Sequence, residues 1–514
     1  MKGITQIQDL GSSPLVEDVA DVVVLGTGAG GATAARVLSA AGLDVVMVEE
    51  GPWVPHTEHR LDMYSSLKSL WRDAGFQAAE GRAVSALLQG SCVGGSTAIN
   101  SAITHRCPEK IHHIWGERFG ATERLTYDRL NAIWDQIDAE LHVAPTPREV
   151  YGRNNDLMTA GFEACGFSVQ PTKRNVSGCQ GTARCGQGCP TQQRQSMNVS
   201  YVPRALASGA RLYATCRAER LLVEGGRGVG IEGRFWDREG RRAGPQLRVR
   251  ARRAVVVACS AIQTPLFLLD QGIGKQSGQL GRNFQSHPGT AVAGIFDEPV
   301  HMWFGATQGV ESLHFWEERY KVETIALAPE MAMVRLPGYG RKLVDQVGIY
   351  PHLALWGGQV RAEAHGRVRR GWTGRPIVTY TMTPTDCRRL KTVLKTMAEA
   401  MFAAGARALQ PGVYGLPDQV TTMDEFNRID TLPDDPRLFH CILSHLFGTA
   451  RMGKDPRQSV VDVDGRLHEL QGVYVADASV LPTNMGVNPQ HTILGIAWGI
   501  AEDIANQERL KAAA

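Results

Sequence analysis

The first fifty residues combine two apolar runs with a helix pattern between them. Residues 22–25 are apolar and mostly β-branched, as in a strand that is buried on both faces. Small and apolar residues follow at helical spacing over residues 32–40, and a second apolar run occupies residues 44–49. This order predicts a β-α-β unit of the kind from which parallel sheets are built.

Later apolar runs predict more of the same sheet. Residues 254–258 and 473–477 are short, apolar runs rich in valine, the second of which ends in Asp477, and this favours buried strands. Residues 217–223 and 228–235 alternate instead, and Gly225-Gly226 between them predicts the turn of a hairpin.

The pattern changes from about residue 290 to residue 434. Residues 291–296, 347–355 and 377–382 predict strands of a more antiparallel sheet, and residues 386–404 have helical spacing. Four of the ten tryptophans lie in this block (Trp303, Trp316, Trp356 and Trp372), where they suit either a core or an apolar substrate wall. We therefore expect a substrate-binding unit inserted between two parts of the first domain.

A glycine loop joins the first predicted strand to its helix. Gly26, Gly28 and Gly31 have the G-x-G-x-x-G spacing that permits a tight turn, close approach to a pyrophosphate, and close helix packing. Glu49 lies about twenty residues further on, where an acid can bind ribose hydroxyls and would repel a 2′-phosphate. Because strand, loop, helix, strand and acid occur in order, dinucleotide binding is favoured over an ordinary glycine-rich turn.

Composition excludes several other classes of protein. The chain has 514 residues, 43% hydrophobic and 21% charged, which is ordinary for a globular enzyme of two or more domains. A net charge of +3 gives no reason to expect a nucleic-acid partner. No apolar run is long enough for a membrane span and no signal peptide is visible, so a cytoplasmic location is expected.

Five segments, in this order, resemble the glucose–methanol–choline (GMC) flavin oxidoreductases. The sequence segments around Asn488-Pro489 and from Cys185 to Ala210 are most similar to those of long-chain alcohol oxidases and cholesterol oxidases. The segments are Gly26–Gly31 with Glu49, Gly94–Asn100, Gly281–Pro288, His445–Gly453, and Asp477 through Asn488–Thr492.

The resemblance implies an α/β fold: a Rossmann-like FAD-binding domain with an inserted α+β substrate domain built on a mainly antiparallel sheet. The expected FAD-binding domain is discontinuous, over residues 1–110, 200–290 and 435–514. The expected substrate-binding domain and cap segments occupy residues 111–199 and 291–434.

The resemblance also assigns two catalytic residues. His445 lies where the family places a histidine that accepts the hydroxyl proton of an alcohol, and Asn488 lies where its partner holds the substrate oxygen. A core histidine and a turn residue before Pro489 are the alternative interpretations. His491 could be a second catalytic histidine, although packing near the flavin is the preferred interpretation.

Further residues are expected to bind FAD. Some relatives attach FAD through a histidine at the position of Ile99, so noncovalent binding is expected here. Hydroxyls and an amide suit phosphate and flavin contacts, and an acid at a strand end suits the ribityl or pyrophosphate region. Beyond the first glycine loop and Glu49, the expected cofactor-binding residues are Gly94, Gly95, Ser96, Thr97, Asn100, Asp477, Ala478, Asn488, Pro489 and Thr492.

Three cysteines leave alternatives open. Cys179, Cys185 and Cys189 are closely spaced and precede a proline, so an iron–sulfur cluster is one interpretation and zinc a weaker one. Reduced structural cysteines, or one disulfide, are the preferred interpretation, and no metal is assigned.

The sequence thus predicts an FAD-dependent enzyme that oxidises a largely apolar alcohol to an aldehyde or ketone by hydride transfer to flavin, with His445 as base. The electron acceptor, oxygen or another, stays open. One alternative is a dehydrogenase subunit that passes electrons through an iron–sulfur cluster to a partner. Another is a flavoprotein lyase or photoenzyme of the same fold.

Overall fold

A computed structural model describes residues 2–11, 13–60, 62–237 and 242–513 of the chain. Its strands, in chain order, are β1 Ile4–Thr5, β2 Leu15–Leu25, β3 Val45–Val48, β4 Gln77–Glu80, β5 Ser85–Leu87, β6 Val143–Pro145, β7 Gln170–Pro171, β8 Lys173–Asn175, β9 Arg211–Tyr213, β10 Cys216–Glu224, β11 Arg227–Asp237, β12 Arg242–Val257, β13 Gln285–Ile295, β14 Val310–Ser312, β15 Tyr320–Thr324, β16 Leu353–Val360, β17 Arg367–Arg370, β18 Pro376–Thr379, β19 Ala408–Gln410, β20 Ile442–Phe447 and β21 Val473–Val475.

The α-helices, in chain order, are α1 Ala29–Ala40, α2 Met63–Leu70, α3 Glu109–Phe119, α4 Tyr127–Glu140, α5 Arg153–Ala164, α6 Tyr201–Ala207, α7 Ser260–Asp270, α8 Pro329–Met333, α9 Arg341–Gly348, α10 Pro384–Ala403, α11 Met423–Asn427 and α12 Gln490–Ala513.

The first sheet has eight strands in the order β1-β9-β3-β2-β12-β11-β10, with β21 also paired to β12. Strands β3, β2, β12 and β21 are parallel, as the predicted β-α-β unit requires. The predicted hairpin is confirmed, since β10 and β11 pair antiparallel around Gly225-Gly226. Helix α1 packs on this sheet and α12 packs on α1, and the parallel strands contribute fully buried valines to one large core.

The second sheet has eleven strands in the order β17-β18-β4-β5-β20-β13-β16-β15-β14-β7, with β19 also paired to β13. Its centre is antiparallel, from β20 through β13 and β16 to β15 and β14. Helices α5 and α10 cover it and form a second core. The expected α/β architecture with a second, mainly antiparallel sheet is confirmed.

The two sheets divide the chain differently from the expected domain bounds in three places. Residues 77–87, expected in the first domain, form β4 and β5 of the second sheet, and residues 442–447 form its β20. Residues 111–140, expected in the second domain, belong to α3 and α4, whose apolar faces lie in the first core. Short segments that join the sheet or core of the other domain do not differ in composition from their neighbours, so the sequence does not reveal them.

One predicted strand is largely wrong. Residues 347–355 were expected to be extended, but α9 ends at Gly348 and a 3-10 turn spans Tyr350–His352 before β16 begins at Leu353. Pro351 explains the difference, since proline fits the start of a tight helical turn and cannot donate to a sheet ladder. The predicted helix over 386–404 is confirmed by α10, which begins two residues earlier at a Thr383 cap.

Candidate active site

The predicted glycine loop forms a tight passage from β2 into α1. Gly26 has a φ of +90°, which favours glycine, and Gly28 is the N-cap of α1. A Cβ on Gly31 would lie 2.0 Å from the carbonyl oxygen of Gly26, so only glycine allows this close turn. By contrast, a Cβ on Gly28 would meet nothing within 4 Å. The loop is thus packed on the protein side and open at Gly28.

Glu49 follows β3 and faces the glycine loop. Its carboxylate accepts hydrogen bonds from the Thr27 amide at 2.9 Å, the Thr27 hydroxyl at 2.8 Å and the Gly51 amide at 2.9 Å. Burial raises the pKa of Glu49, while these three donors act in the opposite direction. Because a carboxylate offers about four acceptor positions, one stays available for a ribose hydroxyl.

The second glycine segment lies against the first. A Cβ on Gly95 would lie 2.9 Å from Gly28 Cα, and the Gly94 amide donates to the Thr27 hydroxyl at 3.1 Å. The Thr97 hydroxyl donates to the Gly94 carbonyl at 2.6 Å, and Ser96 Oγ accepts from the Gly90 amide at 3.0 Å. These two hydroxyls therefore stabilise the turn itself, while the backbone of both loops lines a shared cleft.

Asn100 connects this segment to the C-terminal one. Its Nδ2 donates to Gln490 Oε1 at 2.6 Å, and Gln490 Nε2 donates in turn to Asn175 Oδ1 at 3.1 Å. Gln490 is the first residue of α12, directly after Asn488 and Pro489. The hydroxyl of Thr492, in the first turn of α12, lies 3.5 Å from the His105 carbonyl.

Asp477 ends β21 and caps the following turn. Its carboxylate accepts from the Ser479 amide at 2.8 Å, the Ser260 amide at 2.8 Å and the Thr264 hydroxyl at 2.5 Å. The carboxylate therefore joins the start of α7 to residues 477–480, as a loop cap does. Ala478, next in the chain, holds the turn through its carbonyl, which accepts from the Gly448 amide at 3.3 Å.

His445 is positioned by the pairing of β20 with β13. The register of this antiparallel pair shifts between Ser286 and Pro288, and this irregularity brings His287 opposite His445. Their Nδ1 atoms are 3.1 Å apart, and the rings meet edge to face. His287 Nε2 accepts from the Gly486 amide at 2.9 Å. Pairing of these strands thus holds the imidazole of His445 beside the segment that carries Asn488.

Asn488 completes the catalytic pair predicted from the sequence. Its Nδ2 lies 3.4 Å from His445 Nε2, and its Oδ1 accepts from Lys321 Nζ at 2.6 Å. The Asn488 side chain is buried, while His445 keeps some accessible surface. The structure therefore brings together the two residues that are 43 positions apart in the chain.

Burial dominates the titration of both histidines. It lowers the pKa of His445 to about 3, and the nearby Lys321 ammonium and His105 act in the same direction. Burial likewise lowers the pKa of His287 well below its ordinary value, with His445 as the next contributor. Both rings are therefore neutral near pH 7, the state in which a histidine can accept a proton.

Four residues from three segments form a buried charged cluster behind Asn488. Lys321 Nζ lies 2.8 Å from Glu311 and 3.0 Å from Glu323, and Glu311 also lies 2.9 Å from His105 Nε2. Burial alone would raise the pKa of Glu311, but His105 and Lys321 lower it below the ordinary value. No sequence signal marked this cluster, since its members lie on separate strands and loops.

Two family models described as GMC oxidoreductase match residues 23–289 and 362–497 of the chain. The chain belongs to the GMC oxidoreductase family. Members are FAD-binding flavoproteins that act on CH–OH donors. The matched ranges include both glycine segments, His287, His445 and Asn488.

Relatives and solved structures agree with this assignment. The chain is 36% identical to an uncharacterized GMC-type oxidoreductase of Mycobacterium tuberculosis, over 94% of this chain and 75% of the relative. It is 26% identical to the long-chain-alcohol oxidase FAO3 of Arabidopsis thaliana, over 94% of this chain and 68% of the relative. Pyridoxine 4-oxidase from Mesorbium loti has the same fold, with a TM-score of 0.69 at 19% identity over 95% and 99% of the two chains.

The cleft of this GMC oxidoreductase fits FAD in two respects. Gly28 leaves room for a close backbone approach, as a pyrophosphate requires, because a Cβ built there would meet nothing within 4 Å. Two buried polar atoms near the cleft, Asn198 Oδ1 beside Gly94 and Ser479 Oγ beside Ala478, have no hydrogen-bond partner in the described part of the chain. Buried polar atoms without partners are uncommon in proteins and are suited to a bound polar ligand.

His491 does not reach His445. Its ring stacks on Trp134 with centroids 6.3 Å apart, and its Nε2 lies 2.8 Å from Asp138 Oδ1. It thus lies in the first turn of α12 and packs against α4.

The cysteine segment of this GMC oxidoreductase gives no support to an iron–sulfur cluster. All ten cysteines are free, and no three His, Cys, Asp or Glu side chains within the described ranges come together as metal ligands. Cys179, Cys185 and Cys189 instead line a small cavity beside Arg174 and Arg194. The reduced structural interpretation fits better than a disulfide.

Sequence reasoning missed Gly30 as well as the charged cluster. A Cβ on Gly30 would lie 1.7 Å from the carbonyl oxygen of Ala476, at the end of β21. The extra glycine in the loop was the available signal, but the close contact depends on a strand more than four hundred residues further along the chain.

No helix in the ranges that the structure describes is both long and apolar enough to cross a membrane.

Proposed function

We propose that this GMC oxidoreductase binds FAD noncovalently and oxidises a largely apolar alcohol to an aldehyde or ketone, with His445 as the base. The observation that carries the proposal is the neutral His445 ring held 3.4 Å from the Asn488 amide. FAD would accept the hydride from the alcohol carbon. The residues of the chain then have to hold the substrate oxygen and take its proton.

Gly486, His287, His445 and Asn488 form a chain of hydrogen-bond contacts, and the group at each end of the chain is an N–H donor. The Gly486 amide donates to His287 Nε2, and Asn488 presents its NH₂ group to His445 because Oδ1 accepts from Lys321. Two neutral imidazoles between two donors cannot satisfy every contact, so one donor–donor contact stays.

The location of that donor–donor contact depends on whether the oxygen of an alcohol or of a carbonyl product is bound. When His445 carries its proton on Nδ1, its Nε2 is free to accept a hydroxyl proton. The donor–donor contact then lies between the Gly486 amide and a protonated His287 Nε2. When His445 carries its proton on Nε2, it and Asn488 both donate, and an oxygen between them relieves the contact. The first arrangement suits an alcohol and the second suits a carbonyl product.

The apolar substrate class rests on relatives rather than on a described pocket. Several long-chain-alcohol oxidases of Arabidopsis thaliana are 26–27% identical to the chain over most of its length. Most aromatic residues of the middle block lie elsewhere than at the site: Trp356 is fully buried in the core, and Trp303 stacks on Tyr350. Trp316 is the exception, since its indole donates to the Met485 carbonyl near Asn488 at 3.2 Å.

A homologous alcohol series tests the function and the substrate class together. We expect anaerobic bleaching of the bound flavin by primary alcohols, with kcat/KM rising about fourfold per methylene until the pocket is full, because each buried methylene contributes about 0.8 kcal/mol. Sugars, choline and benzylic alcohols serve as comparison substrates. Rapid bleaching by glucose or choline alone would exclude the apolar class, and no bleaching by any alcohol would exclude the proposed reaction.

Noncovalent FAD is tested separately. Ile99 stands where some relatives carry a flavin-linked histidine, and it belongs to a small apolar cluster that includes Trp71 and Cys92. Acid precipitation of the purified protein should therefore release yellow flavin into the supernatant, measured by absorbance and by mass spectrometry of the denatured chain. Flavin that stays with the pellet, and a chain mass increased by FAD, would contradict the prediction.

A further inference from the structure

The amide of Asn488 is useful to an alcohol oxidase only in one orientation. Its carbonyl and NH₂ ends have nearly the same shape, so the side chain can present either end to the substrate oxygen. In the structure, the NH₂ end faces His445 Nε2 and the carbonyl end faces Lys321. Whatever holds this orientation therefore decides whether Asn488 donates or accepts at the reaction centre.

Lys321 is the group that contacts the carbonyl end. Its ammonium donates to Asn488 Oδ1 at 2.6 Å and to Glu311 at 2.8 Å, and it forms an ion pair with Glu323 at 3.0 Å. The lysine side chain is only 1% exposed, so water does not compete for these bonds. An ammonium cannot accept a hydrogen bond, and the Asn488 amide cannot turn its NH₂ group toward it.

The strand register explains why a lysine is buried here. Glu311 on β14 lies directly opposite Glu323 on β15, and two carboxylates in such a pair repel each other. Lys321 precedes Glu323 by two residues, so both side chains project from the same face of β15. The lysine is thereby held between the two carboxylates, and its remaining N–H reaches Asn488.

We propose that Lys321 is a positioning residue for alcohol oxidation, which holds the Asn488 amide with its NH₂ group toward the substrate oxygen. The proposal rests on the proposed function of His445 and Asn488. The ion pairs keep the ammonium charged, since the two glutamates raise the pKa of Lys321 against the effect of burial. A purely structural role, in which Lys321 only balances two glutamates, is the competing explanation.

Lys321→Met tests the proposal by removing the donor while keeping the chain length. We expect the limiting rate constant of flavin reduction by alcohol to fall about 10- to 100-fold, because a misplaced catalytic contact has effects of this size. The alcohol Kd from the same anaerobic stopped-flow titration should change less than about twofold. A structural role alone would not separate the two constants in this way.

A double-mutant cycle with Asn488→Ala decides between the two explanations. If Lys321 acts through the Asn488 amide, Lys321→Met should change flavin reduction by less than about twofold once the amide is absent, so the two effects are strongly non-additive. Additive effects of the two substitutions would overturn the proposal. So would a full reduction rate in Lys321→Met itself.

Two further variants control for folding. Lys391→Met removes another buried lysine, which donates to Asp434 at 2.9 Å and to the Leu432 carbonyl at 2.5 Å without contacting Asn488, and it should keep the wild-type reduction rate. Lys321→Met with Glu323→Gln keeps the charge balance of the cluster and is the test variant if Lys321→Met does not fold. Wild-type protein that alcohol does not reduce would instead contradict the proposed function, so the two failures are distinguishable.

Discussion

Flavin reduction by alcohol is expected to slow by ~10²–10⁴-fold when His445 is replaced by alanine, because loss of a positioned acid–base group has effects of that size. His445→Ala should retain FAD, since the glycine cleft is formed by other segments. Anaerobic stopped-flow measurement of flavin bleaching gives the rate constant directly. Unchanged single-turnover reduction would remove His445 from the mechanism.

Two other substitutions set the scale for this result. Asn488→Ala should slow reduction less, because it removes one polar contact to the substrate oxygen and leaves the base in place. His468→Ala is a matched control, since His468 is a histidine whose Nε2 lies 2.9 Å from the Ser459 hydroxyl, without contact to the catalytic pair. It should reduce at the wild-type rate.

The pH profile of the same step follows from the environment of His445. Burial lowers its pKa to about 3, so the neutral, proton-accepting ring persists as the pH falls below the ordinary histidine range. Reduction should therefore stay level from about pH 8 to about pH 5, where an ordinary exposed histidine would already be mostly protonated. A fall in rate centred near pH 6.5 would contradict this picture.

The local parts of the site could be predicted from the sequence, and the reason is that their spacing is short. The glycine loop, Glu49 and the strands beside them depend on residues within about thirty positions, so their chemistry is visible in one segment. The catalytic roles of His445 and Asn488 could be predicted only from the family resemblance, since a spacing of 43 residues does not indicate that the two side chains meet. The structure does so through β20 and the loop before α12.

The buried cluster could not be predicted, because its residues are recognisable only through strand register. Glu311, Lys321 and Glu323 read as ordinary surface charges on short polar strands. Only the pairing of β14 with β15 sets the two glutamates opposite each other and directs Lys321 toward Asn488. His287 is similar, since the shift between Ser286 and Pro288 decides where its ring points.

The second large effect concerns two glycines of the same loop, which should fail in different ways. Gly28 is open to the cleft, whereas a Cβ on Gly30 would lie 1.7 Å from the Ala476 carbonyl oxygen. Gly30→Ala forces the backbone of α1 away from β21 and should destabilise the apoprotein by about 3 kcal/mol or more, as severe overpacking does. Chemical denaturation of the apoprotein measures this loss.

Gly28→Ala should leave the apoprotein nearly as stable as wild type, within about 1 kcal/mol, because the added methyl group meets no protein atom within 4 Å. It occupies the space through which the loop backbone would approach the pyrophosphate, so FAD affinity should fall more than tenfold, or about 1.4 kcal/mol. Titration of apoprotein with FAD by flavin fluorescence gives the Kd. Wild-type affinity in Gly28→Ala would mean that the open side of this loop does not contact the cofactor, whereas equal instability in both variants would mean that Gly28 is needed for the turn itself.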